Sequence, residues 1–254
     1  LALSEGPPAA SGRARPMSGS AQHLRKLLSF FFQAHPWHGI SAEAKHSGHY
    51  HTYVELTPFD GVKYEVDKAT GHIRCDRPQK YSNLCPTLYG FIPRTYCGTA
   101  VGRHCALQTG RESIHGDGDP IDICVLTEKP ISNVGILVNA KPIGGLRMID
   151  DNSADDKIIA VLEADMAYGH INSIHELPVA MVDRLRQYFL TYKLSPDETH
   201  PPVEITHVYD ATEAMQIIRY SQQDYHEEFH GVQDDAVRFL QELAETVRPS
   251  GPLR

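Results

Sequence analysis

Asp117-Gly118-Asp119-Pro120-Ile121-Asp122 runs directly into Ile123-Cys124-Val125-Leu126. Three carboxylates this close repel one another, and each carries a raised pKa unless a cation sits between them. Hard oxygen donors at this density suit Mg²⁺, Mn²⁺ or Ca²⁺ rather than zinc or copper. The same residues also make a good turn, because Asp and Gly favour turns and Pro fixes φ. The apolar β-formers that follow predict a strand over Ile121 to Leu126. An EF-hand does not fit. Counted from Asp117, position twelve is Glu128, but Ile121 and Asp122 fall where a ligand and a glycine belong.

Further short strands lie on both sides. Upstream, the pattern predicts strands from Tyr50 to Leu56, Val62 to Val66, Ile73 to Asp76 and Tyr89 to Pro93. The turn Asp67-Lys68-Ala69-Thr70-Gly71 joins the second and third into a hairpin. Downstream, strands are expected at Val134 to Ala140, Lys141 to Met148 and Lys157 to Glu163. Such a series, with Gly and Pro between its members, predicts a mainly β fold with helices (α+β), built on a closed barrel.

Helical spacing is found near both ends. Residues 21–33 place Leu24, Leu27, Leu28 and Phe31 on one face, and Pro178 opens a helix up to Leu190. Two more helices are expected, from Thr212 to Ser221 and from Gln233 to Val247, the latter with Val237, Leu240, Leu243, Ala244 and Val247 on one face. Residues 1–20 read as a disordered extension or cloning remnant, and 21–49 as an N-terminal helical and loop segment.

The 254 residues are 41% hydrophobic, enough for a sizeable core, and carry a net charge of −8. That charge disfavours a nucleic-acid partner. No apolar run reaches the roughly 18 residues of a membrane span, so no membrane partner is expected. Five cysteines without a C-x-x-C pair read as reduced thiols of a cytoplasmic protein. His46, His49 and His51 read as a solvated surface cluster, since no Cys or carboxylate flanks them at a zinc spacing.

A second acidic run, Asp150-Asp151-Asn152-Ser153-Ala154-Asp155-Asp156-Lys157, separates two expected strands. Alone it is an ordinary acidic loop. Two such loops at strand ends could converge and hold several cations, the usual arrangement for hydrolysing a phosphoryl bond. Lys63 and Glu65 share one strand face, Arg77 follows the third strand, and Tyr192-Lys193 ends a helix. Arg offers bidentate phosphate binding and Lys a point charge.

In this order the motifs resemble those of the family I soluble inorganic pyrophosphatases. The signature is Asp117 to Ile123. Val54-Glu55-Leu56, Val62 to Asp67, Asp76-Arg77-Pro78, Tyr89 to Pro93, Asp150-Asp151 with Asp155 and Lys157, and Tyr192-Lys193 complete the set. The resemblance covers about residues 50–195 and places a pyrophosphatase domain at 50–247. It implies an OB-like closed β-barrel with flanking helices, a homo-oligomer, and Mg²⁺-dependent hydrolysis of pyrophosphate to two phosphates, with Mn²⁺ as a substitute ion. It further implies that Asp117, Asp122 and Asp155 hold the tightest metal, and that Asp122 bridges to a second. Asp119 would be the general base. Asp150, Asp155 and Glu55 would face metals arriving with substrate. Lys63, Arg77, Tyr89, Tyr192 and Lys193 would hold phosphate oxygens, Lys157 would support the leaving side, and Glu65 would act through water or hydrogen bonds.

The chain departs from the family pattern at Cys85, where many members have Tyr, at Leu88 and at Asp151. It also has a longer stretch between Tyr96 and Asp117, expected to be a surface loop carrying Cys97 and Cys105. The competing readings are a non-catalytic paralogue, an enzyme for another phosphoanhydride, and an OB-fold module for single-stranded nucleic acid.

Overall fold

The computed structural model describes residues 33–195, 197 and 203–246. From His35 onward the described residues belong to one unit. The extension expected at 1–20 and, apart from Gln33, the helix expected at 21–33 fall outside the described residues.

The strands are β1 (Tyr50–Leu56), β2 (Val62–Val66), β3 (Ile73–Pro78), β4 (Leu88–Phe91), β5 (His115–Gly116), β6 (Asp122–Leu126), β7 (Ile136–Asp150), β8 (Ser153–Ala154), β9 (Lys157–Leu162) and β10 (Val203–Asp210). The helices are α1 (Thr99–Thr109), α2 (Val179–Thr191) and α3 (Ala211–Thr246). The architecture is α+β and dominated by one mixed sheet. Its path runs β1-β4-β6-β9-β7-β8-β5; β10 also pairs with β7, and β7 pairs back to β1. The β2–β3 hairpin stands apart as its own two-stranded sheet, as the turn at 67–71 predicts.

The strand after the acidic hexapeptide explains the core. Ile121, Ile123 and Val125 pack into one hydrophobic cluster, while Cys124 and Leu126 pack into another. A strand buried on both faces reads as a continuous apolar run, which is what residues 123–126 are. β9 repeats the pattern, with Ile158 and Ala160 in the first cluster and Ile159 and Val161 in the second. β6 and β9 run parallel with Asp122 opposite Lys157, so the first side chains of both strands meet at one end of the sheet.

β4 must approach β1 very closely. A Cβ at Gly90 would lie 1.8 Å from the Tyr53 carbonyl oxygen. Gly90→Ala is therefore expected to cost about 3 kcal/mol, because backbone rather than a flexible side chain must give way. Chemical denaturation checks this; a loss below about 1 kcal/mol would show that the strand pair can slide apart.

Three expectations need correction. The strands expected at 134–140 and 141–148 are one strand, β7, which passes through Pro142 with a register shift between Pro142 and Gly144 against β9. A bulge is where a residue without an N–H does least harm to a sheet. The two late helices are one helix, α3. Its polar middle conceals Tyr225, which is buried against Trp37 and Phe229. Of the apolar face expected at its end, the side chains of Val237, Leu240, Leu243 and Ala244, together with Val247, lie outside the described residues.

The third correction concerns the stretch after Tyr96, which is no surface loop. Residues 99–109 form α1, with Cys97 buried just ahead of the helix and Cys105 on its buried face. The helix start is satisfied from far away: the Asp224 carboxylate accepts hydrogen bonds from the backbone N–H groups of Gly98 (3.0 Å), Ala100 (2.8 Å) and Val101 (3.0 Å). Those are the orphan donors of a helix N-terminus, where negative charge is also favoured.

A buried ionic network links β7 to α3. Arg147 is fully buried; its Nε donates to Asp156 Oδ2 at 3.2 Å and its Nη2 to Glu213 Oε1 at 2.8 Å. Its guanidinium lies 5.3 Å from the centroid of the Tyr209 ring.

Candidate active site

A cavity of about 1130 Å³ opens at the sheet end where Asp122 and Lys157 meet. Its walls contain all thirteen residues proposed from sequence: Glu55, Lys63, Glu65, Arg77, Tyr89, Asp117, Asp119, Asp122, Asp150, Asp155, Lys157, Tyr192 and Lys193. β1 supplies Glu55. The β2–β3 hairpin supplies Lys63, Glu65 and Arg77, and the end of α2 supplies Tyr192 and Lys193.

Local geometry aims each acidic loop. The turn carrying Asp119 is tied to the segment Thr95 to Cys97, with the Cys97 N–H donating to the Asp119 carbonyl at 2.7 Å and the Ile121 N–H donating to Thr95 Oγ1 at 3.0 Å. In the second loop Asp151 (φ 46°) and Asn152 (φ 67°) are both left-handed. Asp150 pairs with Ser153 across them. Two successive positive φ values define the tight hairpin turn that Asn and Asp tolerate, and the turn presents Asp150 to the cavity.

The side chains are arranged as opposed charges. Buried Lys157 pairs with both Asp122 and Asp155, Lys193 with Asp150, Lys63 with Glu65, and Lys68 with Asp119. Arg77 Nη1 lies 2.6 Å from Asp76 Oδ2. The Tyr89 hydroxyl donates to Asp122 Oδ2 at 2.6 Å. Burial alone would lower the pKa of Lys157, but Asp122 and Asp155 outweigh it and hold the ammonium well above its ordinary value.

Negative charge is still in excess. Burial pushes the Glu55 carboxyl up to about 8, despite a 2.7 Å hydrogen bond from the Val66 N–H. Asp117 keeps solvent contact at the cavity wall, yet enclosure and then the charges of Asp155 and Asp122 push it to about 8 as well. Asp155 is raised by burial and by Asp122, with Lys157 opposing. Among the described residues no three His, Cys, Asp or Glu side chains already form a metal cluster, and lysine ammoniums pair with Asp119, Asp122, Asp150 and Asp155. The donor set nevertheless fits hard divalent cations: crowded oxygen donors whose mutual repulsion a cation would relieve.

The sequence reading missed several lining residues, among them Lys68, Arg74, His115 and Ser153. The positions of Lys68, directly after the Val62 to Asp67 motif, and of Ser153, inside the second acidic run, offered a signal. Cys85, by contrast, does not line the cavity; it is buried in the second hydrophobic cluster. His46 pairs with Glu163, away from the cavity. No helix among the described residues is long and apolar enough to cross a membrane.

Comparison with known proteins points the same way. The family model described as inorganic pyrophosphatase matches residues 52–226, a span that contains all thirteen residues. An inorganic pyrophosphatase of Chlamydia trachomatis is 50% identical over 196 residues, covering 76% of this chain and 94% of that protein. A soluble inorganic pyrophosphatase of Oryza sativa is 34% identical over 219 residues, covering 86% and 88%. The crystal structure of inorganic pyrophosphatase from Thermus thermophilus superposes with a TM-score of 0.62 at 28% identity, covering 76% of this chain and 99% of that one.

Proposed function

Because this chain belongs to the inorganic pyrophosphatase family, it hydrolyses pyrophosphate to two phosphates, and we propose that it does so with metal-activated water and Asp119 as the general base. The observation that carries this is the meeting of Asp119 with Asp117, Asp122 and Asp155 in one cavity that is also lined by Lys63, Arg77, Lys157 and Lys193. Asp117, Asp122 and Asp155 would hold the tightest Mg²⁺, Asp122 would share a second ion, and Asp150, Asp155 and Glu55 would face ions arriving with substrate. Bound there, divalent metal supplies a lower pKa for water and neutralises phosphoryl oxygens.

The remaining steps belong to the protein. Asp119, half-exposed at the cavity, accepts the proton of the attacking water. Lys63, Arg77, Tyr89, Tyr192 and Lys193 orient the phosphate oxygens, with Arg77 suited to a bidentate grip. Lys157, already held between two carboxylates, offers its charge to the leaving phosphate. Glu65 acts through Lys63, with which it is paired.

The same reading takes the return of β7 to β1 as support for an OB-like closed barrel. It also takes the protein as a cytoplasmic homo-oligomer, a state that light scattering of the purified chain measures.

Phosphate release from pyrophosphate is expected with Mg²⁺ and to a lesser extent with Mn²⁺, and to vanish with a chelator. Parallel assays on ATP and tripolyphosphate separate this activity from that on other phosphoanhydrides. No phosphate from pyrophosphate at any Mg²⁺ concentration would mean a non-catalytic paralogue.

A further inference from the structure

Lys68 lines the cavity and has no part in the scheme above, yet its ammonium is paired with Asp119. It sits in the β2–β3 turn, where Asp67 Oδ1 accepts from the Thr70 N–H at 2.9 Å and from Thr70 Oγ1 at 2.8 Å. The turn is pressed onto the segment His35-Pro36-Trp37. At Gly71 (φ +73°) a Cβ would lie 2.9 Å from both His35 Cδ2 and Pro36 Cδ. His35 Nε2 donates to the Lys68 carbonyl at 3.2 Å, and the Lys68 ammonium lies 6.0 Å from the centroid of the Trp37 ring. Trp37 Nε1 in turn donates to the Thr95 carbonyl at 2.8 Å, while Thr95 Oγ1 receives the Ile121 N–H from the Asp119 loop. One residue, Thr95, thus holds in register both the support under Lys68 and the loop bearing its partner. His35 to Trp37 lie ahead of the segment that matches the family.

A carboxylate engaged by an ammonium is a poor acceptor for the proton of water. We propose that Lys68 is a latch on Asp119: it holds the carboxylate in the metal-free protein and releases it when divalent charge enters beside Asp117 and Asp122. The base then becomes free only in the metal-loaded protein. This rests on the assignment of Asp119 as base and of Asp117 and Asp122 as metal ligands. The pair suits a latch because its side chains are 56% and 50% exposed, and exposed pairs shift equilibria by only about twofold to fivefold. Lys68 is a positioning residue, acting through Asp119.

Trp37 is the chain's single tryptophan, so its fluorescence reports on this spot. Mg²⁺ is titrated into the full chain without substrate, with binding followed by calorimetry and by Trp37 emission. Wild-type emission is expected to change in step with Mg²⁺ occupancy as the ammonium moves away. Lys68→Met is expected to start with altered emission, to stay flat through the titration, and to bind Mg²⁺ about twofold to fivefold more tightly. Lys68→Arg restores wild-type behaviour in both readouts. Flat wild-type emission while calorimetry registers bound Mg²⁺ overturns the latch, as does a Lys68→Met protein that binds Mg²⁺ no more tightly than wild type. Failure of wild type to bind Mg²⁺ at all overturns the metal assignment on which the latch depends.

Discussion

Asp119→Asn is expected to lower kcat for pyrophosphate by about 10³-fold, within the 10²–10⁴ range that general-base catalysis supplies, while leaving the fold intact. The substitution keeps the shape of the side chain and removes its ability to take a proton. It disturbs little else. The Asp119 side chain is half-exposed and pairs with Lys68, whereas the backbone of the residue is fixed by hydrogen bonds to Cys97 and to Asp117 Oδ1 (2.9 Å), which Asn retains. Thermal unfolding should therefore match wild type within a few degrees, and Mg²⁺ affinity should change by no more than the exposed Lys68 pair contributes. Steady-state kinetics over a range of Mg²⁺ concentrations decides the matter. If activity returns at high Mg²⁺, Asp119 is a metal ligand rather than the base. If kcat stays within tenfold of wild type throughout, another group takes the proton.

The sequence made the chemistry easier to read than the wall that holds it. Alternation and turn residues are local signals, so β1, the β2–β3 hairpin, β6 and β9 are placed within a few residues of where they lie. The acidic turns carry their own geometry, as at Asp151-Asn152. That thirteen residues spread from Glu55 to Lys193 share one cavity followed from the order of motifs and their likeness to a family, since no spacing rule connects residues 55 and 193. What remained hidden depends on partners distant in the chain. α1 has no capping side chain of its own, because its cap, Asp224, lies 126 residues after Gly98. α3 looks interrupted because its middle is polar in composition, and only Trp37, Tyr53 and Phe91 across the fold explain why Tyr225 is buried there. Lys68 looks like any exposed turn lysine until the hairpin is docked on His35 and Pro36.

Arg147→Met is expected to destabilise the protein by about 3–5 kcal/mol at pH 8, the usual cost of leaving a buried charge without its partner. Arg147 is wholly buried and is the ionic partner of both Asp156 and Glu213. Methionine fills much of the space without compensating either carboxylate. The pH dependence follows from Asp156, which is 2% exposed. Burial pushes its carboxyl up to about 6, although Arg147 opposes the rise. A folded-state value above the unfolded one, about 3.9, means that the Asp156 contribution favours the fold at low pH and is lost as pH rises from about 4 through 6. Without Arg147 the folded value moves higher still, so the loss continues above pH 6. The deficit of Arg147→Met relative to wild type should accordingly be smallest near pH 5 and grow towards pH 8. Urea denaturation at the two pH values measures it, and a deficit independent of pH would assign the loss to packing rather than to charge. Should the single variant fail to fold at pH 8, Arg147→Met combined with Asp156→Asn removes the more deeply buried of the two unpaired charges, and most of the lost stability should return. Activity supplies a second reading of the same network. Asp156 adjoins Asp155, whose N–H donates to the Met148 carbonyl at 3.0 Å. Loosening this corner therefore displaces a proposed metal ligand, and the single variant should need more Mg²⁺ for half-maximal phosphate release than the double variant does.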